Sequence, residues 1–154
     1  MFRLATEDDA KRIDILRKQT RNFHIKYKPG LFKEDNNSNN DYTKSLIHNE
    51  ESDILLYEDK GEIVAYIIIE KIIKPENAYR YEMKYLYIDD FGVDESCRHK
   101  GIGTKLFEYC KEYAKENGFE DIKLNVWAFN ENAFEFYKKL GFNIERYYLD
   151  YTFD

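Results

Sequence analysis

RHKGIGT, residues 98–104, is the stretch from which the rest of the chain can be read. Two glycines stand one residue apart, behind an Arg and a Lys, and a helical pattern begins directly after them. The first N–H groups of a helix have no internal partner and lie at the positive end of its dipole. Glycines there let the backbone close around a phosphate. Two such loops are excluded by spacing. A P-loop requires GxxxxGK(S/T), whereas Gly103 is followed by Thr104 and Lys105, with no glycine five residues earlier. A dinucleotide fingerprint requires GxGxxG, and the third position after Gly103 is Leu106. What remains is a basic loop suited to a pyrophosphate without a metal, or a tight loop with an ordinary helix cap.

The composition narrows the function classes. The 154 residues suit one ordinary domain, 1–154, and 43% hydrophobic residues suffice for one core. The net charge is −6, with the charged residues dispersed, so no basic face is offered to nucleic acid. Two cysteines, Cys97 and Cys110, make no disulfide framework, and three scattered histidines make no metal spacing. The longest apolar run, IVAYIII at 63–69, falls far short of the ~20 residues that span a bilayer. The opening MFRLATEDDA has no apolar signal core, so a cytoplasmic location is expected.

The pattern of elements is mixed. FRLAT (2–6) reads as a strand. Thr6 reads as the cap of a helix whose first turn holds Glu7, Asp8 and Asp9, with Ala10, Ile13, Leu16 and Thr20 on one face. KPGLFKEDNNSNND (28–41) reads as a functional or disordered loop, followed by a short helix at 41–49. Strands at 53–58 and 62–72 flank Asp59-Lys60-Gly61, a hairpin signal. Residues 79–93 alternate as a third long strand. The helix at 101–117 presents Ile102, Leu106, Tyr109, Cys110, Tyr113 and Ala114 on one face, which makes Cys110 a core residue. A strand at 119–129, a helix at 131–140 closed by Gly141, and a final strand or pair of strands at 142–153 complete an α/β arrangement.

With these elements in order, the chain resembles the GNAT superfamily of acyl-CoA-dependent N-acyltransferases. That family carries R/QxxGxG/A after its fourth strand, matched by Arg98-His99-Lys100-Gly101-Ile102-Gly103. It carries NxxAxxxY before a terminal Gly-Phe, matched by Asn130, Ala133, Tyr137 and Gly141-Phe142. The resemblance covers essentially the whole chain. It implies a mixed, mostly antiparallel sheet of six to seven strands with four helices, the fourth and fifth strands splayed apart. It implies acetyl-CoA as cosubstrate, with no metal. Phe91, Gly92 and Val93 would pair with the pantetheine arm. Arg98, His99, Lys100, Gly101, Ile102, Gly103 and Thr104 would hold the pyrophosphate. Asn130 would line the slot and also reads as a helix N-cap.

The implied reaction is direct attack of a primary amine on the thioester. An amine of pKa near 10.4 must lose a proton, at about 4.6 kcal/mol near pH 7, and the departing thiolate must be protonated. Tyr137 is the implied acid. Asp89, nine residues before Arg98, is the first candidate base; Asp90 and Glu82 follow. Simple alternation puts Asp89, Phe91 and Val93 on one face and Asp90 on the other, and a bulge would swap them. The acceptor site would draw on residues 20–42 and on the tail ERYYLDYTFD, where Glu34, Asp35, Asp41, Glu145 and Asp150 suit a cationic amine, small molecule or peptide. A homodimer through C-terminal strands or helix faces is expected by analogy. The competing reading is a CoA-binding regulatory or interaction domain without turnover.

Overall fold

The structure, a computed structural model, describes residues 1–34 and 40–154. Its elements are β1 (Phe2–Leu4), α1 (Ala10–Tyr27), α2 (Asp41–His48), β2 (Ser52–Asp59), β3 (Glu62–Lys74), β4 (Met83–Val93), α3 (Ile102–Glu116), β5 (Asp121–Leu124) and α4 (Glu131–Leu140). The hairpin expected at Asp59-Lys60-Gly61 forms as a two-residue turn. Lys60 and Gly61 both take positive φ, 51° and 83°, the geometry that matches strand twist. The strands lie in the order β1-β2-β3-β4-β5. Every neighbouring pair is antiparallel except β4 and β5, which run parallel.

The apolar run 63–69 lies at the centre of β3 and is buried on both faces, which is why it reads as continuous rather than alternating. On one face Leu55, Ile67, Ile69, Leu86 and Ile88 meet Leu106, Phe107 and Cys110 of α3. On the other, Ile54, Leu56, Tyr66 and Ile68 meet Ile13 and Leu16 of α1 and Leu46 of α2. Cys110 is thus a core residue, and its burial pushes the thiol up to about 12. Among the described residues no helix is long and apolar enough to cross a membrane.

Four expectations are corrected. The described residues hold five strands rather than six to seven, because residues 142–153 form none. The strand expected at 119–129 is paired only over Asp121–Leu124. β4 begins at Met83, so Tyr79, Tyr81 and Glu82 belong to the exposed β3–β4 connection. A 3-10 turn, Glu7–Asp9, precedes α1, and the Asp9 carboxylate accepts from the Thr6 N–H at 2.8 Å. The strand errors share one cause. Alternation reports which residues could sit on a pleated sheet, but a strand exists only where a neighbour supplies hydrogen bonds.

Candidate active site

β3 and β4 pair regularly until Ile68 lies opposite Asp90 and Ile69 opposite Ile88. Asp89 is therefore an extra residue, a bulge, and the pleat inverts across it. Leu86 and Ile88 face α3 before the bulge; Phe91 and Val93 face α3 after it. Asp90 and Gly92, opposite Ile68 and Tyr66, turn toward α1. A bulge also bends its strand. β4 pairs with β5 only from Tyr85 to Ile88, and from Asp89 to Val93 its β5 edge is unpaired. The two strands part at the bulge.

Asp90 sits in a polar network that the sequence reading did not find. Its Oδ2 accepts from the Tyr66 hydroxyl at 3.0 Å and from Arg17 Nε at 3.4 Å. Arg17 also donates to the Thr43 hydroxyl at 3.1 Å and pairs with Asp14. Burial raises the Asp90 pKa above its ordinary value, and the nearby Asp89 charge adds to this. The Arg17 cation and the Tyr66 hydroxyl pull the other way. Tyr66 is fully buried because its ring lies against Gly92: a Cβ there would stand 2.7 Å from the Tyr66 Cε1. The glycine expected to face the pantetheine thus has a structural duty toward Tyr66. Asp89, by contrast, is exposed, and its charge acts on Tyr42 and Tyr87. Glu82 lies eight residues before Asp90, about 25 Å along an extended chain, too far to share a site with it.

The phosphate-loop candidate begins where β4 ends. Asp94 accepts from the Ser96 N–H at 3.0 Å and pairs with Arg12 of α1 at 2.6 Å. These contacts hold the Asp94 carboxyl below its ordinary value. Arg98 folds back so that its Nε donates to the Val93 carbonyl at 3.0 Å. His99 and Gly101 both take left-handed φ, 61° and 76°. A Cβ on Gly101 would meet nothing within 4 Å, so this glycine answers to backbone conformation and leaves open space beside it. The first bond of α3 runs from Lys105 N–H to the Gly101 carbonyl at 3.1 Å. The N–H groups of Ile102, Gly103 and Thr104 precede it and are free for an anion. Gly103 is buried, its missing Cβ accommodating Phe136 at 3.0 Å.

α4 starts as its sequence suggests: the Asn130 side chain accepts from the Ala133 N–H at 3.2 Å. Tyr137, one turn past Ala133, lies among Phe91, Phe136 and Phe142 with ring centroids 5.5–6.3 Å away. Burial raises its phenol pKa, and the charge of Asp90 raises it further.

Beyond Arg17 lies an open cavity of about 310 Å³, lined by Asp14, Arg17, Lys33, Glu34, Asp41 and Tyr42 among others. Glu34 and Asp41 were expected near an acceptor; Asp35 falls outside the described residues, while Glu145 is away at β5, paired with Lys123. Beside the C-terminal end of α1, Phe23, His24 and Tyr27 pack with Phe32, Trp127 and Phe129. Their sequence signal was only the high aromatic content.

Comparison with known proteins agrees with this geometry. Over 93 residues the chain is 39% identical to a probable N-acetyltransferase, san, of Drosophila melanogaster, covering 57% of this chain and 48% of that protein. The chain spans about half the length, or less, of the first curated relatives it matches. A solved structure of a tetramutant of the BH1408 protein from Bacillus halodurans superposes with a TM-score of 0.94 at 28% identity, covering 99% of each chain. The aminoglycoside N-acetyltransferase AAC(6')-Iy, solved in complex with CoA, shares the fold at a TM-score of 0.74 and 12% identity, covering 100% of this chain and 99% of that one. The acetyltransferase (GNAT) family matches residues 13–142, and with strands parting beside a basic glycine loop and an Asn-to-Tyr helix, this chain belongs to it.

Proposed function

We propose that the protein is an N-acetyltransferase that moves an acetyl group from acetyl-CoA to a primary amine by direct attack. The observation that carries the reading is the β4 edge left open from Asp89 to Val93, which runs into the glycine loop at Arg98–Thr104 and has Tyr137 packed against its Phe91. The unpaired β4 edge at Phe91, Gly92 and Val93 suits an added, strand-like pantetheine arm. The loop Arg98–Thr104 suits the pyrophosphate: it offers free N–H groups at a helix start, open space at Gly101, and the charges of Arg98 and Lys100. Asn130 fixes the start of the helix that carries Tyr137.

When bound, acetyl-CoA supplies the activated thioester; the chain supplies proton transfer. Asp90 is the better base of the pair at the bulge. A raised pKa brings a carboxylate nearer the working pH, while the Arg17 cation and the Tyr66 hydroxyl favour its ionised form. Asp89, exposed at the bulge, acts on the field around it. Tyr137 stays protonated well above neutrality, which suits donation to a departing thiolate. The cavity between α1 and α2 carries both signs of charge, so it supports an amine acceptor without choosing between a small cation and a peptide.

The test is thiol release from acetyl-CoA with a panel of amines, products weighed by mass spectrometry. Turnover on at least one amine is expected. Tyr137→Phe should lower kcat by about 10²–10⁴ with CoA affinity kept. CoA binding without turnover on any amine would favour a regulatory domain, and full activity in Tyr137→Phe would remove the phenol from the mechanism.

A further inference from the structure

The face of α1 that buries Ile13 and Leu16 against the sheet continues at helical spacing through Thr20 to Phe23, His24 and Tyr27. Along this last stretch the partner is no longer a strand. It is the turn after β5, closed by the Asn130 N–H on the Trp127 carbonyl at 2.9 Å, which brings Trp127 and Phe129 to the helix. Tyr27, Phe129 and Trp127 stack in that order, with centroids 5.1 and 5.7 Å apart and planes 9° and 16° from parallel. Phe32 stands edge-on to Trp127 at 5.7 Å. The stack is not sealed: Tyr27 is 47% and Trp127 39% exposed, so the rings form a wall open to water on one side.

The wall adjoins the Asp90 network. His24 Nδ1 donates to the Thr20 carbonyl at 2.9 Å, since a carbonyl can only accept. The Thr20 hydroxyl lies 3.4 Å from that of Tyr66, which donates to Asp90 at 3.0 Å. Thr20 and His24 are one turn apart, about 6 Å along the axis. The body of a molecule whose nitrogen reaches Asp90 therefore lies toward the rings. The wall also sets what it opposes. The segments that build it, 23–33 and 125–130, contain Lys26, Lys28 and Lys33 and no carboxylate. Lys26 Nζ already lies 5.6 Å from the Tyr27 ring centroid, and Lys28 Nζ 5.7 Å from that of Trp127. A polyamine or an aminoglycoside would bring further positive charge beside these ammonium groups. An uncharged ring meets aromatic faces and the apolar stems of the lysines. Neither described segment holds a strand past β5, so a peptide backbone finds no ladder along the wall.

We infer that the acceptor is a small arylalkylamine: an uncharged aromatic ring seated against Tyr27, Phe129 and Trp127, with a short alkyl chain carrying the primary amine toward Asp90. The inference rests on the acetyl-transfer reading and narrows its acceptor. It places specificity in the turn after β5 rather than in the carboxylates Glu34 and Asp41 of the cavity.

Trp127 is the chain's single Trp, so its emission reports occupancy of the wall whether or not acetyl transfer follows. Phenethylamine, spermidine, kanamycin and a short peptide with an N-terminal Phe are titrated against the full chain loaded with CoA, and kcat/KM with acetyl-CoA is measured for each. A saturable change in Trp127 emission is expected with phenethylamine and not with spermidine. The kcat/KM for phenethylamine should exceed that for the other three by about 10-fold or more. Trp127→Leu, at an exposed position, should keep the far-UV circular dichroism and the CoA affinity while raising the KM for phenethylamine about 10-fold. Lys28→Glu should improve spermidine selectively, by giving it a counter-charge at the wall. Turnover that prefers spermidine, kanamycin or the peptide would overturn the inference and leave acetyl transfer standing. An unchanged Trp127 emission with phenethylamine would overturn it whatever the turnover. A saturable change with phenethylamine, but turnover on no amine, would remove the acetyl-transfer reading and leave the ring site in place.

Discussion

Gly92→Ala changes one hydrogen into a methyl group, and the structure sets its consequence. The new Cβ would stand 2.7 Å from Tyr66 Cε1 and 3.0 Å from both Cζ and the hydroxyl oxygen. Tyr66 is fully buried against Ile13, Leu16 and Ile68, so the ring can yield only by disturbing the α1 face of the core. Overpacking of this kind costs about 1–3 kcal/mol. If the ring moves, its 3.0 Å bond to Asp90 lengthens, and a hydrogen bond to a charged group is worth roughly 1.5–3 kcal/mol. Replacing a strand glycine returns about 0.5–1 kcal/mol. With that bond lost, a net cost of about 1.5–5.5 kcal/mol follows, a fall in Tm of roughly 3–22 °C for a chain of this length. The hydroxyl also holds the Asp90 pKa down, so displacing it shifts the acidic limb of kcat/KM toward higher pH. Urea unfolding of Gly92→Ala, Tyr66→Leu and the double variant isolates the cause. With the ring gone, Gly92→Ala should cost about 1 kcal/mol less than in wild type, or nothing. Equal cost in both backgrounds would refute the contact as the reason for this glycine.

Arg17→Met removes the cation that opposes burial at Asp90, so the Asp90 pKa should climb further and the acidic limb of activity should move up in pH. A rise worth about 1.4 kcal/mol leaves about a tenth as much ionised Asp90 below that pKa, and an unmoved limb would exclude Asp90 as the base. Gly103→Asp should weaken CoA binding by placing a negative charge at the start of α3 and by pushing the loop off Phe136 and Val93. It should also lower stability by about 1–3 kcal/mol, because Phe136 already stands 3.0 Å from the missing Cβ; isothermal titration and thermal melts read the two effects separately. Asp94→Asn keeps a capping acceptor but removes the charge that pairs with Arg12, and should cost roughly 0.2–1 kcal/mol at pH 7. Since the folded pKa of Asp94 is lowered, its contribution is present above pH 4 and lost as pH falls through that lowered value, so the gap between wild type and variant should close in acid.

The sequence by itself determined the elements whose evidence is local: α3, α4 and the β2–β3 hairpin. Their faces, caps and turn follow from spacing within a few residues. It also determined the family, because RHKGIGT and the run from Asn130 to Tyr137 are short motifs in the right order. What it left open depended on partners distant in the chain. Strand side chains alternate with period two, so the single extra residue at Asp89 decides which carboxylate turns toward α1, and that bulge exists only in the pairing with β3. Gly92 read as a contact for a ligand until the Tyr66 ring was seen against it. Arg17 carried no motif; 73 residues separate it from Asp90, and only the packing of α1 on the sheet brings them together. The C-terminal residues show the same limit from the other side. Their alternation declares a strand, but a strand is a relation between two segments, and among the described residues no second segment pairs with them.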